Sequence, residues 1–375
     1  MKLKNPFVIG GYVAPDYFCG REREVGELVR HLTSGHHIAL VSTRRMGKTG
    51  LIRHCFQLPE IREHYHTFFI DIYATATLRE LVYTLGKEIF ETLKSREKVF
   101  VEHFFNAIAS LRAAFRLSAF NGAPVFEIGL GEIQHPETTL DEIFRYLESA
   151  DKPCLVAIDE FQQIGSYADR CTEALLRTHI QHCTNTRFVF AGSQRHMMTN
   201  IFVTPSRPFY QSVNMMQLGA IPLHSYRTFV QRHFSEGGRD ITVEVIDRIY
   251  HEFEGHTWYM QMMFNELYSL CDQGEVCDRR MADEALRQVI EAQAFTFEEI
   301  LSRLPEKQKQ VLLAIARVGK ALRVTSAEFV QKYALNSSSS VQAAIRYLLD
   351  KDLVSREGDC YFIYDRFFGH WLKKR

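Results

Sequence analysis

No run in the 375 residues approaches the ~18 consecutive apolar positions that a membrane-spanning helix needs. The opening segment carries Lys2 and Lys4 but only a short apolar run, broken by Gly10, Gly11 and Pro15, which makes a poor secretory signal. The eight cysteines form no CxxC pair. His36-His37, His64 and His66 have no acidic or cysteine partners at metal-ligand spacing. These absences predict a reduced, cytoplasmic chain with no membrane partner and no metal site made of protein ligands alone. A Gly-x-Ser-x-Gly elbow is also missing, and no convincing nucleophile triad can be assembled. Net charge is zero, with 45 Lys+Arg against 45 Asp+Glu, which excludes a chain that is basic throughout and coats nucleic acid.

The charge is unevenly placed. Residues 303–375 hold 14 Lys and Arg against 7 Asp and Glu, a net of +7, so the first 302 residues carry −7. That asymmetry predicts a separate C-terminal domain with its own surface chemistry. Upstream, apolar runs without alternation read as strands covered on both faces: 37–42, 68–72, 154–158, 187–191 and 213–218. Amphipathic spacing between them predicts helices over 49–57, 77–94 and 97–116, and one over 140–149 capped by Thr139. Asn121-Gly122 predicts a hairpin between 117–120 and 125–130. The expected fold is α/β, a parallel sheet with helices on both faces. After Pro222 the strands stop and residues 223–300 read as helices, one carrying Tyr259, Met263, Leu267 and Leu270 on a single face. From 304 onward, three short helices (306–317, 325–333, 338–350) and a hairpin around Gly358 have the layout of a winged helix-turn-helix, with Ser337 to Ser340 as a helix N-cap region.

Ser42-Thr43-Arg44-Arg45-Met46-Gly47-Lys48-Thr49 follows the first strand and opens a helix. It fits the phosphate-loop pattern G-x-x-x-x-G-K-[ST] except that Ser42 replaces the first glycine. Such a loop aims backbone N–H groups and a helix N-terminus at phosphates. The predicted phosphate contacts are Ser42, Arg45, Met46, Gly47, Lys48, Thr49 and Gly50. Lys48 would contact the β- and γ-phosphates, and the Thr49 hydroxyl would ligate Mg²⁺. Arg44 and Arg45 each either face phosphate or sit on the loop surface. Asp159-Glu160 closes a buried apolar strand about 110 residues later, which is the Walker B position. There Asp159 would hold Mg²⁺, and Glu160 would polarise the attacking water as catalytic base. The two motifs in this order predict ATP and Mg²⁺ as ligands.

The sequence resembles the archaeal-type ATPases, P-loop proteins of the AAA+/STAND group. The resemblance is carried by Phe18-Cys19-Gly20-Arg21-Glu22-Arg23-Glu24, Arg44 to Thr49, Ile158-Asp159-Glu160-Phe161-Gln162 and Ala191-Gly192-Ser193. It continues through Pro208-Phe209-Tyr210 and Glu254-Gly255-His256 to Tyr364-Asp365-Arg366-Phe367-Phe368 with Trp371-Leu372. It implies a nucleotide-binding core, a helical lid and a C-terminal winged helix, here 1–220 (with the hairpin as an insertion near 117–134), 221–302 and 303–375. It implies that Gly20 and Arg21 lie near the adenine, that Ser193 and Gln194 reach the γ-phosphate, and that His256 starts a lid helix against the nucleotide. Two departures stand out. Gln211-Ser212 follows Tyr210 where the family often has Gly-Arg, leaving Arg207 and Arg195 as nearby substitutes for an arginine finger or as solvated loop residues. Gly255-His256-Thr257 stands where the lid motif usually reads Gly-x-Pro.

Two function classes follow. One is a slowly hydrolysing ATPase that acts as a nucleotide-dependent switch, moving a lid and winged helix about a hinge at Leu304-Pro305, with a protein partner or a second copy of itself as target. The other is a DNA-binding protein whose winged helix contacts DNA under ATP control. The predicted recognition helix 338–350 exposes Ser339, Ser340, Gln342, Ala343, Arg346 and Tyr347, of which only Arg346 is basic. Phosphate contacts would therefore come from Arg323, Lys332, Arg356 and Lys373-Lys374-Arg375.

Overall fold

The computed structural model describes residues 3–94, 103–104, 106–110, 115–117, 124–126, 133–169 and 171–375. The chain divides into two compact units, Gly10–Pro222 and Met1–Ile9 with Leu223–Arg375. Among the described residues no helix is long and apolar enough to cross a membrane.

The described strands of the first unit are β1 (Ile38–Val41), β2 (His66–Asp71), β3 (Phe115–Leu117), β4 (Pro124–Phe126), β5 (Cys154–Asp159), β6 (Thr186–Gly192) and β7 (Asn214–Gln217). Five of them make one sheet in the order β2-β5-β6-β1-β7, every pair parallel. Alternate side chains feed two apolar cores. Ala39, Val41, Val156, Ile158, Phe188 and Phe190 pack with the helix Leu78–Lys94 and the helix Pro136–Glu148. Ile38, Leu40, Leu155, Ala157, Val189 and Ala191 pack with the helices Glu22–Thr33 and Lys48–Gln57. Burial on both faces is why these strands read as unbroken apolar runs. The edge strand β7 buries only Met216.

The hairpin is present as β3 and β4, paired with Phe115 opposite Phe126. Its Asn121-Gly122 turn lies outside the described residues, as does most of the helix expected over 97–116; the last two residues of that stretch, Phe115 and Arg116, are in β3 instead, where they pair with β4. Thr139 does not cap a helix. Pro136 starts the helix one turn earlier, and Thr139 is fully buried inside it, its hydroxyl donating to the His135 carbonyl at 3.2 Å.

In the second unit, side-chain caps set several helix starts: Thr242, Asp278, Ser326, Ser337 and Asp365 each accept a bond from a first-turn N–H. The stretch read as helical over 223–300 ends in two helices, Arg279–Ala292 and Ala294–Ser302. A short parallel pair, β8 (Asp240–Ile241) and β9 (Val276–Cys277), interrupts the helical stretch. The C-terminal part contains helices Glu306–Val318, Ala327–Lys332 and Ser338–Asp350, and a three-stranded sheet of β10 (Ala321–Leu322), β11 (Val354–Glu357) and β12 (Cys360–Ile363). It closes with the helix Arg366–Lys373, capped by Asp365.

Phe7 places the first nine residues in this second unit rather than with the sheet. It is fully buried, its ring centroid 5.5–6.0 Å from those of Phe229, His233, Phe234, Phe264 and Tyr268. Asn5 donates to the Asn265 carbonyl at 2.9 Å, and Asn265 donates to the Phe7 carbonyl at 2.7 Å. The helical and winged-helix parts belong to one unit because acids on the first meet bases on the second. Glu254 pairs with Lys320 and, at 2.5 Å, with Arg366; Glu252 pairs with His370 at 3.0 Å. Phe297 packs on Phe368 and Trp371.

Candidate functional site

Three neighbouring strands, β5, β6 and β1, end on the same edge of the parallel sheet, and the conspicuous polar residues of the first unit gather there. Open α/β sheets bind ligands at that edge, where loops carry the side chains. After β1 the backbone turns through two left-handed residues, Arg45 (φ 68°) and Gly47 (φ 91°), before entering the helix at Lys48. Left-handed residues interleaved with right-handed ones turn successive N–H groups to one side and form a concavity for an anion. Glycine meets this demand at 47. The loop is held from behind: Arg21, 3% exposed, donates to the Met46 carbonyl at 3.1 Å and pairs with the buried Glu24 at 3.4 Å. Ser42 is buried at the start of the loop, and its hydroxyl bonds to the Thr43 carbonyl at 2.8 Å.

Lys48 is 6% exposed. Its ammonium reaches Ser42 Oγ at 3.4 Å, and among the described residues it has no carboxylate within ion-pair distance. Burial pushes its pKa down; the more distant charges of Asp159 and Glu160 oppose that and Arg44 reinforces it. A buried ammonium without a counter-ion is unfavourable unless a ligand supplies the negative charge. Thr49 Oγ1 donates to Asp159 Oδ2 at 2.7 Å across 110 residues of sequence. Burial raises the pKa of Asp159, against the Thr49 bond and the Lys48 charge. A hydroxyl and a carboxylate held side by side are hard oxygen donors, the set that Mg²⁺ takes from a protein while a nucleotide and water complete its shell. Thr49 and Asp159 therefore fit that ion.

Glu160 also adopts a left-handed backbone (φ 56°) at the end of β5. Its carboxylate accepts from Ser193 Oγ at 2.7 Å and from the Gln162 amide. Ser193 in turn accepts at 3.4 Å from Gln162 Nε2 and from Arg44 Nε of the phosphate loop. The structure thus brings together Ser42, Arg44, Lys48, Thr49, Asp159, Glu160 and Ser193 at one sheet edge.

Other expected site residues fall differently. Gly20 takes φ 51° just ahead of Arg21, and the Arg21 side chain is spent on the loop carbonyl and Glu24. A Cβ at Gly50 would meet nothing within 4 Å, so packing does not demand glycine there. Arg207 pairs with the buried Glu173 at 2.5 Å and so has a structural partner, while Arg195 is exposed at a helix start. His256 belongs to the second unit. Its Nδ1 donates to the Phe253 carbonyl at 3.0 Å, which leaves Nε2 as an acceptor. Burial and then Arg366 push its pKa down. Sequence reasoning assigned no role to Gln162 or to the link from Arg44 to Ser193. Their only signal was position, three residues after Asp159 and two after Ser42.

Residues 295–374 match the family model described as "Probable winged helix domain". No curated protein matches the chain. Among solved structures, it is similar to the Walker-type ATPase PABY2304 of Pyrococcus abyssi, with 18% identity, a TM-score of 0.67, and 98% of this chain and 99% of that one covered. It is similar to the ORC2 protein of Aeropyrum pernix, solved in ADPNP-ADP complexes (15% identity, TM-score 0.61, 98% and 95% covered). It is also similar to the ORC1 protein of Aeropyrum pernix, solved in complex with DNA (13% identity, TM-score 0.54, 99% and 96% covered). At these identities the likeness is one of fold. The chain has the fold of an archaeal Walker-type ATPase, a P-loop parallel sheet followed by a C-terminal winged helix, as the sequence resemblance implied.

Proposed function

We propose that the protein binds ATP with Mg²⁺, hydrolyses it slowly, and uses the bound nucleotide to switch the state of its lid and winged helix. The observation that carries this reading is Lys48, a buried ammonium that has no carboxylate partner among the described residues, at the mouth of a loop built for an anion. The loop N–H groups and Lys48 bind and orient the β- and γ-phosphates. Thr49 and Asp159 would hold Mg²⁺, which when bound neutralises charge developing on the phosphates. Glu160 would accept a proton from the water that attacks the γ-phosphate. The γ-phosphate distinguishes ATP from ADP, and Ser193 with Arg44 lies where that difference would be read.

Two measurements test the reading. ATP with Mg²⁺ should raise the thermal midpoint, since a ligand at 100 Kd stabilises the folded state by about 2.7 kcal/mol. Glu160→Gln should still bind ATP and lose phosphate release. Absence of any midpoint shift at millimolar ATP, or turnover in Glu160→Gln within twofold of the parent, contradicts it.

The winged-helix match and the DNA-bound ORC1 neighbour favour DNA contact as a second reading. Of the basic residues there, Lys320, Arg366 and Arg375 are engaged with acids of the same unit, whereas Arg323, Arg346 and Lys374 are exposed. A salt titration of duplex DNA binding by the whole chain decides: a steep slope supports phosphate contacts, and no binding at low salt removes the reading.

A further inference from the structure

The residue after the candidate base is Phe161, and the one after that is Gln162; neither has a place in the phosphate chemistry described above. Phe161 is fully buried, its ring 4.4 Å from that of Phe190 and 5.5–5.6 Å from those of Phe202 and Phe209. It anchors the short helix Phe161–Ser166 that follows β5. Gln162, next to that anchor, is only 2% exposed. Its amide nitrogen lies against Glu160 Oε2 and 3.4 Å from Ser193 Oγ. A carboxylate can only accept, so the group facing Glu160 must be the NH₂ and the orientation of the amide is settled by chemistry.

We propose that Gln162 is a positioning residue for Glu160, resting on the reading of Glu160 as the base. A glutamate at the start of a left-handed turn has three side-chain torsions to fix, and nothing apolar can grip its carboxylate. Gln162 and Ser193 both donate to Oε2. Among the described residues Oε1 takes no hydrogen bond, which leaves that oxygen as the acceptor for water. The neighbouring glycine completes the arrangement. A Cβ at Gly192 would lie 2.7 Å from Gln162 Oε1 and 2.3 Å from Met198 Sδ, so a side chain there would evict the amide. Gly192 has no positive φ, and close approach is what requires glycine at this strand end. The run Asp159-Glu160-Phe161-Gln162 thus divides into cation ligand, base, anchor and clamp.

Gln162→Met tests the clamp, because Met has the same length and no donor. ATP turnover should fall by about 10- to 100-fold, the scale of a misplaced reacting group, while affinity for a fluorescent ATP analogue stays within threefold. Ser193→Ala, which removes the other donor, should lower turnover in the same direction. A residue that only fills space would leave Gln162→Met near the parent. A second readout does not need turnover. The Gln162 side-chain amide, identified in ¹H–¹⁵N spectra by its absence from Gln162→Met, should shift in Glu160→Ala. Parent-like turnover in Gln162→Met, affinity falling in step with turnover, or an amide signal indifferent to Glu160→Ala overturns the proposal. A parent that binds ATP but never hydrolyses it would instead overturn the catalytic reading of Glu160, and the amide signal would still decide the clamp.

Discussion

Replacing Lys48 by Met should make the ligand-free protein more stable and at the same time remove its response to ATP. The side chain keeps its length and its apolar stem, and only the buried charge goes. Among the described residues that charge has one weak contact in the parent, Ser42 Oγ at 3.4 Å, and its pKa is lowered chiefly by burial. The effective cost of burying an ion in a protein is several kcal/mol, and replacing buried charges by apolar groups of similar volume has stabilised proteins by about 1–4 kcal/mol. The attraction of Asp159 and Glu160 offsets part of the cost here, so a gain of about 1–3 kcal/mol is expected. For a unit of this size that is roughly 2–12 °C in midpoint. The sign with pH follows from the lowered pKa. The folded state holds the Lys48 proton less tightly than the unfolded chain does, so the cost is full below the lowered pKa. It fades as pH rises from the lowered value towards that of an ordinary lysine. Differential scanning calorimetry of parent and variant, with and without ATP and Mg²⁺, should show the order reversing: variant above parent without ligand, parent rising with ligand and variant not. A variant less stable than the parent in the absence of ligand would refute the argument that Lys48 is held in an unfavourable site for the sake of a phosphate.

Arg207→Ala should cost about 1–3 kcal/mol by leaving Glu173 buried without its cation, less than a fully buried pair because Arg207 is about one-third exposed. Burial already holds the Glu173 pKa above its ordinary value, so the cost should shrink as pH falls and the acid takes a proton, read from denaturant midpoints across pH. ATP turnover per folded molecule should be unchanged; a large loss would return Arg207 to the arginine-finger role. Gly192→Ala should cost about 1–3 kcal/mol by overpacking against Met198 and should lower turnover as Gln162→Met does. Phe7→Ala should cost about 3–5 kcal/mol in the second unit, seen as early proteolysis after Leu223, with the ATP-induced shift of the first unit retained.

The elements that could be read from sequence alone are those whose signal is local. Strands buried on both faces must be continuous apolar runs, so β1, β5 and β6 are visible as such. The phosphate loop is equally visible because its geometry needs Gly47 and its chemistry needs Lys48 and Thr49 within one turn. The helix cap at Ser337 is set by the residue and its next three neighbours. What the tertiary structure alone decided are contacts between residues far apart in the chain. Thr49 meets Asp159 because β1 and β5 flank β6, an order that no single strand's pattern contains. Gln162, an unremarkable amide in the sequence, acquires a role because Glu160 turns left-handed and Ser193 ends the adjacent strand. Phe7, Arg21 and Arg207 gave no sequence signal for their structural partners, since an aromatic or an arginine is sorted into core, clamp or ligand site by what surrounds it. Composition and periodicity settle which faces are buried; which buried polar atom finds which partner is settled only when the strands are set side by side.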